Sequence, residues 1–253
     1  MKVLSAAFRS SWLVVLLLLC WETLSRLRVL DPLFFPAPTT LLAAFGALVG
    51  SGEAGRQVMH TLQRTAVGFG AGALFGIAAS AVLAVSVTLR KASEPIISAL
   101  YSTPRLTLLP MVMLLLGVNN TSRILLVALG AALLMMIQIS DAIRGVNRDY
   151  VDMAVNYGAG PLAVIRQVYL PACLPQLFTG LRLAFSRALV LTISVELLNC
   201  DDGLGSMIWN AWQTFAIEKL YLSVALSGAL GLTFQWLFLR LERTMTPWQE
   251  RAA

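Results

Sequence analysis

Charge is scarce in this chain. Aspartate, glutamate, lysine and arginine supply only 13% of its 253 residues, while hydrophobic residues supply 58%. A water-soluble fold of this length needs far more polar cover, so that class is excluded. Histidine is nearly absent. His60 stands alone, without ligand partners nearby in the sequence, which removes zinc-type centres and histidine-based nucleophilic catalysis from consideration. Cys20, Cys173 and Cys200 are three in number and have no metal or redox spacing, which argues against a disulfide framework. No G-x-x-x-x-G-K-[ST] string occurs, so the chain lacks the loop that cradles nucleotide phosphates. A formal net charge of +6 comes without a basic run or interleaved aromatic platform, which excludes nucleic acid as a partner. No cofactor is expected on this chain, and no metal.

What the sequence has in abundance is apolar length, with a mean hydropathy of +0.76. A helix crossing about 30 Å of hydrocarbon takes roughly 20 apolar residues, and about six such stretches are present. They fall near residues 10–30, 58–89, 95–117, 122–141, 175–199 and 220–241. The predicted class is therefore all-α, a polytopic bundle of about six transmembrane helices forming one domain over residues 1–253. The lipid bilayer is its first partner. Lys2 and Arg9 precede WLVVLLLLC, but no small-residue cleavage site follows, so the first segment reads as an uncleaved span. Glu22 lies inside that span and is expected to face protein or interface. The proline-rich DPLFFPAPTT then leaves the membrane, and Thr39 or Thr40 starts a short helix through Val49.

The second stretch carries a stripe of small residues. Gly68, Gly72 and Gly76, followed by Ser80 and Ala84, recur every four positions on one face, which predicts a close helix-packing surface. The third contains Pro104, Pro110 and an unexpected Arg105. The fifth carries Arg182, Arg187 and Glu196. Residues 200–219 read as a glycine break followed by an amphipathic interfacial helix. Basic residues orient the chain. With both termini in the cytoplasm, Lys2, Arg9, Arg90, Lys91, Arg144, Arg148, Arg166, Arg240, Arg243 and Arg251 lie inside. Arg26, Arg28, Arg56 and Arg64 weaken this bias on the outer side.

The longest polar interruption is residues 147–171, NRDYVDMAVNYGAGPLAVIRQVYLP. Val151, Ala154, Val155, Gly158, Leu162 and Ile165 form an apolar stripe at helical spacing. Asn147 suits an N-cap, with Asp149 and Asp152 near the positive helix end. Gly158 suits a left-handed closing residue, Pro161 the first turn of a second helix, and Pro171 its end. Such a hairpin is expected to dock against something.

This string resembles the cytoplasmic EAA loop of ABC-type importer permeases. Asp152, Met153 and Ala154 fill the E-A-A places; Gly158, Val168, Leu170 and Pro171 follow at the family offsets. The likeness extends through DPLFFPAPTTLL, GFGAGALFGIAAS, TGLRLAF and VELLNCDDGLG, and points to the nitrate/sulfonate/taurine branch. The resemblance implies a type I ABC importer (MetI-like) fold in the bacterial inner membrane. It also implies a second copy of the permease or a paralogue, and two cytoplasmic ATPase subunits that carry ATP and magnesium. A periplasmic or lipid-anchored solute-binding protein completes the set. Asp152, Met153, Ala154, Gly158, Pro161, Val168, Leu170 and Pro171 are then the ATPase-coupling residues. Branch members commonly carry proline where Ser102 and Arg105 stand, and an apolar residue at Arg187.

Arg105, Arg187 and Glu196 are the candidate translocation-path residues. An arginine inside a span costs roughly 2.5–3.5 kcal/mol on insertion scales unless it is partnered. Glu196 follows Arg187 by nine positions, about 13 Å along a helix, too far for easy pairing; Glu22 or Glu94 from another span are alternative partners. Two readings stand: structural pairing or snorkelling to the interface, and a path lined for a small anion. The competing class is a secondary carrier or channel without an ATPase. That class predicts an inverted repeat or intramembrane carboxylates poised for proton coupling.

Overall fold

The computed structural model describes residues 2–85 and 87–248, with side chains at 12–83, 88–198 and 200–248. The side chains of Lys2, Arg9, Ala84 and Arg251 lie outside the described ones. Among the described residues the regular structure is helical, with no strand. The helices are α1 (Lys2–Arg26), α2 (Pro38–Gly50), α3 (Glu53–Val85), α4 (Val87–Ser102), α5 (Leu109–Leu116), α6 (Asn120–Arg144), α7 (Arg148–Asn156), α8 (Pro161–Val164), α9 (Leu170–Asn199), α10 (Leu204–Gln213) and α11 (Ile217–Met245). A 3-10 turn, Arg105–Leu108, precedes α5, and a π-helical turn, Ile165–Tyr169, links α8 to α9.

By length and composition α3, α6 and α11 each suffice to cross a membrane, and residues Thr88–Ser102 and Arg105–Leu116 pass the same test together as one bent pair. α9 has the length at 30 residues, but Arg182, Arg187 and Glu196 dilute its apolar character. The 95–117 stretch is thus corrected from a simple straight span to a bent helix pair, its halves meeting at 90°. Pro104 is the cause, since its ring disfavours the helical conformation at Thr103. The hydroxyls of Ser102 and Thr103 donate to the carbonyls of Ser98 and Ala99, both at 2.9 Å, where the helix ends.

The chain divides into two compact units: Met1–His60 with Glu196–Gly228, and Thr61–Val195 with Ala229–Ala253. In the first, Leu48, Ala54, Met207 and Leu222 form the core. Glu22 is fixed there by Arg26 and by the backbone N–H and hydroxyl of Thr39 at the start of α2. A carboxylate beside that helix N-terminus meets N–H groups that have no partner within the helix. Lys219 bonds Glu53 at 2.7 Å.

In the second unit α6 is central, with Leu126, Val127 and Met135 almost wholly buried. The glycine stripe of α3 explains how close α6 comes. A Cβ at Gly68 would lie 2.8 Å from Val127, one at Gly76 2.7 Å from the Ala132 carbonyl oxygen, and one at Gly72 would run into the Ala128 backbone. The stripe is therefore occupied by a helix of the same chain and offers no surface to a second copy. Phe69, Phe185, Phe234 and Phe238 stack beside it, with ring centroids 4.4–6.0 Å apart. Outside these contacts the helices present apolar side chains outward, such as Leu74, Leu114, Leu232 and Trp236, as hydrocarbon solvent requires.

Candidate functional site

The 147–171 loop is built by local rules. Asn147 accepts the Asp149 N–H at 3.0 Å and so caps α7. At the other end Gly158 takes φ +83°. Its N–H donates to the Val155 carbonyl at 2.9 Å, and the Ala159 N–H donates to the Ala154 carbonyl at 3.0 Å. This pair of bonds is the Schellman closure, which needs a left-handed residue at that position. A Cβ on Gly158 would meet nothing within 4 Å, so the glycine is required for its backbone angle and not for space within this chain.

Pro161 opens α8, with Gly160 before it. Pro171 does not end that helix, contrary to the sequence expectation. The backbone passes through the π turn into α9, and Pro171 becomes its second residue. A proline has no N–H to give and its ring crowds the carbonyl four residues back. Widening the preceding turn to the π form re-spaces that carbonyl and lets the helix continue.

The loop folds around an open cleft of about 480 Å³. Met153 and Ala154 line it from α7, and Val168 and Pro171 line it from the turn into α9. Tyr150, Tyr157, Gln167 and Trp248 complete the wall. Tyr150, Met153, Ala154 and Tyr157 share a face at helical spacing, one register away from the stripe read in the sequence. Trp248 had no local signal. Asp152, Gly158, Pro161 and Leu170 are exposed around the cleft. Tyr157, Leu162 and Ile165 of the same loop are exposed at 88%, 78% and 55%, apolar side chains uncovered in this chain. In the first turn of α9 Cys173 is half-buried, and burial pushes its thiol above the ordinary range.

The three path candidates are placed differently. Arg105 begins the 3-10 turn at the α4–α5 break, half-buried, with its Cζ 4.8 Å from the Tyr101 ring centroid. Arg187 is exposed on α9. Glu196 belongs to the first unit and is 1% exposed; its carboxylate accepts the Gly205 N–H at 3.1 Å, at the start of α10. Gly203 (φ +101°) lies so close that a Cβ would overlap that carboxylate, and its N–H donates to Gln57 at 2.6 Å. The carboxylates suggested as arginine partners are committed elsewhere: Glu94 pairs with Arg144, and Glu22 with Arg26 and Thr39.

Three helices of membrane-crossing length, one bent helix pair and an uncovered, capped helical hairpin describe an integral membrane protein. The chain belongs to the family described as binding-protein-dependent transport system inner membrane component, whose profile matches residues 68–247. It is 27% identical over 240 residues to the taurine transport system permease protein TauC of Escherichia coli, covering 93% of this chain and 87% of that one. The nitrate import permease protein NrtB of Synechococcus elongatus is 28% identical, over 76% of this chain and 70% of its own. The bicarbonate transport system permease protein CmpB of Synechocystis is 26% identical, over 76% and 69%. Among solved structures, the inward-facing MetNI methionine ABC transporter aligns with a TM-score of 0.66 at 19% identity, over 74% of this chain and 94% of that one. An amino acid ABC transporter gives 0.67 at 19%, over 80% and 96%. The fold is accordingly the MetI-like one of ABC importer permeases. Membership makes the chain a multi-pass component of the inner membrane that works with ATPase subunits and a solute-binding protein.

Proposed function

We propose that this permease imports a small anion, and that its 147–171 loop transmits the ATPase cycle to the spans. The observation that carries the coupling assignment is the set of exposed apolar side chains on this loop, Tyr157, Leu162 and Ile165, together with its open cleft lined by Met153 and Ala154. A surface of that kind on an otherwise polar loop is a docking surface, since solvent gives it no reason to exist. Its occupant is a cytoplasmic ATPase subunit carrying ATP and magnesium. Asp152, Met153, Ala154, Gly158, Pro161, Val168, Leu170 and Pro171 form or shape the contact. Both termini then lie in the cytoplasm, and residues 1–253 act as one permease domain. Two permeases, identical or paralogous, pair above two ATPases, and a periplasmic or lipid-anchored binding protein delivers the solute.

The anionic solute is supported by the chemistry of the relatives' cargo. Nitrate and bicarbonate are monoanions, and taurine presents a sulfonate. Arg105 and Arg187 are the path candidates that suit such a solute. Glu196 we assign instead to holding the Gly203–Gly205 turn, because its carboxylate is already spent on backbone N–H donation there. The test is co-expression with the cognate ATPase and binding protein, followed by uptake of taurine, nitrate and bicarbonate into proteoliposomes. Uptake that requires ATP and both partners supports the reading. Transport by the permease alone would establish a secondary carrier.

A further inference from the structure

Arg105 differs from the arginines whose compensation is visible in its unit. Arg144 is paired with Glu94, and Arg64 donates to Asn120 Oδ1 at 3.0 Å. Among the described residues of its unit Arg105 has no carboxylate partner, and its Nε is buried without an acceptor. The ring of Tyr101 attracts the charge but supplies no oxygen to the N–H groups. Room for the side chain comes from α6. A Cβ on Gly130 would lie 3.2 Å from Arg105 Cδ, 3.3 Å from Leu191 and 3.6 Å from Arg105 Nε, so a glycine there keeps the stem unobstructed. The backbone at this point is also the break between α4 and α5. Irregular backbone within a membrane protein is tolerated where protein buries it or where it lines a water-filled cavity, and interrupted apolar segments mark solute sites in transporters.

We propose that Arg105, seated on Tyr101 and given room by Gly130, contacts the anionic group of the transported solute at the α4–α5 break. The planar fork of N–H donors suits two oxygens of one oxoanion, a sulfonate, nitrate or bicarbonate. This assignment rests on the anion-importer reading above and singles out Arg105 from the two path candidates it names.

The experiment uses the full complex of permease, ATPase and binding protein in proteoliposomes, with labelled taurine, nitrate and bicarbonate as separate probes. Arg105→Gln should co-purify with the ATPase yet lose about ten- to a hundredfold in uptake efficiency for the transported anion, as expected for one lost charge-assisted bond. Arg105→Lys should recover part of it, because charge remains while the fork is gone. Gly130→Ala should raise the KM for the same anion about threefold or more by crowding the arginine stem. If Arg105→Gln does not assemble, the Lys and Ala variants decide. An unchanged KM in both overturns the proposal, as does normal uptake by an assembled Arg105→Gln complex. A wild-type complex that moves none of the three anions sinks the anion-importer reading itself, a result distinct from the failure of Arg105.

Discussion

Replacing Gly158 separates two roles that a loop glycine can have. Its φ of +83° is a conformation that an ordinary L residue adopts at a cost of about 1–2 kcal/mol. No atom lies within 4 Å of a Cβ built there, so steric conflict inside this chain adds nothing. Gly158→Ala and Gly158→Leu should therefore leave insertion and thermal stability of the spans intact. What they strain is the closure of α7, through the bonds from Gly158 to Val155 and from Ala159 to Ala154. If the ATPase docks on α7, a strain of about 1–2 kcal/mol is a loss of about five- to thirtyfold in affinity. Asparagine tolerates the left-handed region better than alanine, although it is larger.

The diagnostic is the order of effects, read as the dissociation constant of detergent-solubilised permease for its ATPase and as coupled uptake. Backbone strain predicts that asparagine stays near wild type and that alanine is worse. A close-approach surface predicts that asparagine is worse than alanine, and leucine worse than both. Wild-type affinity and uptake for Gly158→Leu would refute any coupling role for this end of α7. A low yield of inserted protein would instead mean that the glycine serves folding.

Three other perturbations follow from close contacts and burial. Gly72→Ala places a methyl in the Ala128 backbone and should destabilise the second unit by about 1–3 kcal/mol, whereas Gly70→Ala, with open space around it, should not; thermal unfolding in detergent compares them. Gly203→Ala combines φ +101° with overlap on the Glu196 carboxylate and should cost about 2–5 kcal/mol, and wild-type stability for this variant would contradict the geometry. Cys173, its thiol pushed up by burial, should hold less thiolate near pH 8 than an unfolded cysteine. In a Cys20→Ser, Cys200→Ser background its maleimide labelling should be slower native than denatured and should rise with pH; equal rates would show that burial has no effect.

What was legible in the sequence is what acts over a few residues. Asn147 and Gly158 delimit α7 because capping is set by side chain and backbone within one turn. The glycine stripe declared a packing face, but not that α6 of the same chain fills it, since small residues mark closeness without naming the neighbour. Pro104 stood inside a stretch read as one simple span, and the angle at which the chain bends there depends on what the two halves pack against. Pro171 misled for a related reason, because a proline states only that one N–H is missing. The chain can respond by ending a helix or by widening a turn, and here it widens. Trp248 reaches the cleft of the 147–171 loop from 77 positions beyond Pro171, a contact that only tertiary structure creates.

The charged residues carry the argument furthest. In the sequence Arg105 and Glu196 look alike, each a charge inside an apolar stretch whose burial must be compensated. The cost is legible but the compensation is not, because the compensating group is often backbone, which every residue carries and no residue type signals. For Glu196 it includes the N–H of Gly205, reached where Gly203 lets the chain turn close to the carboxylate. For Arg105 the described residues of the unit offer an aromatic face and a vacant Cβ position on Gly130, but no acceptor for Nε. Two charges with one apparent role thus separate into a residue satisfied by its own fold and a residue left with hydrogen bonds to give. Under the anion-importer proposal, the second is the residue that meets the solute.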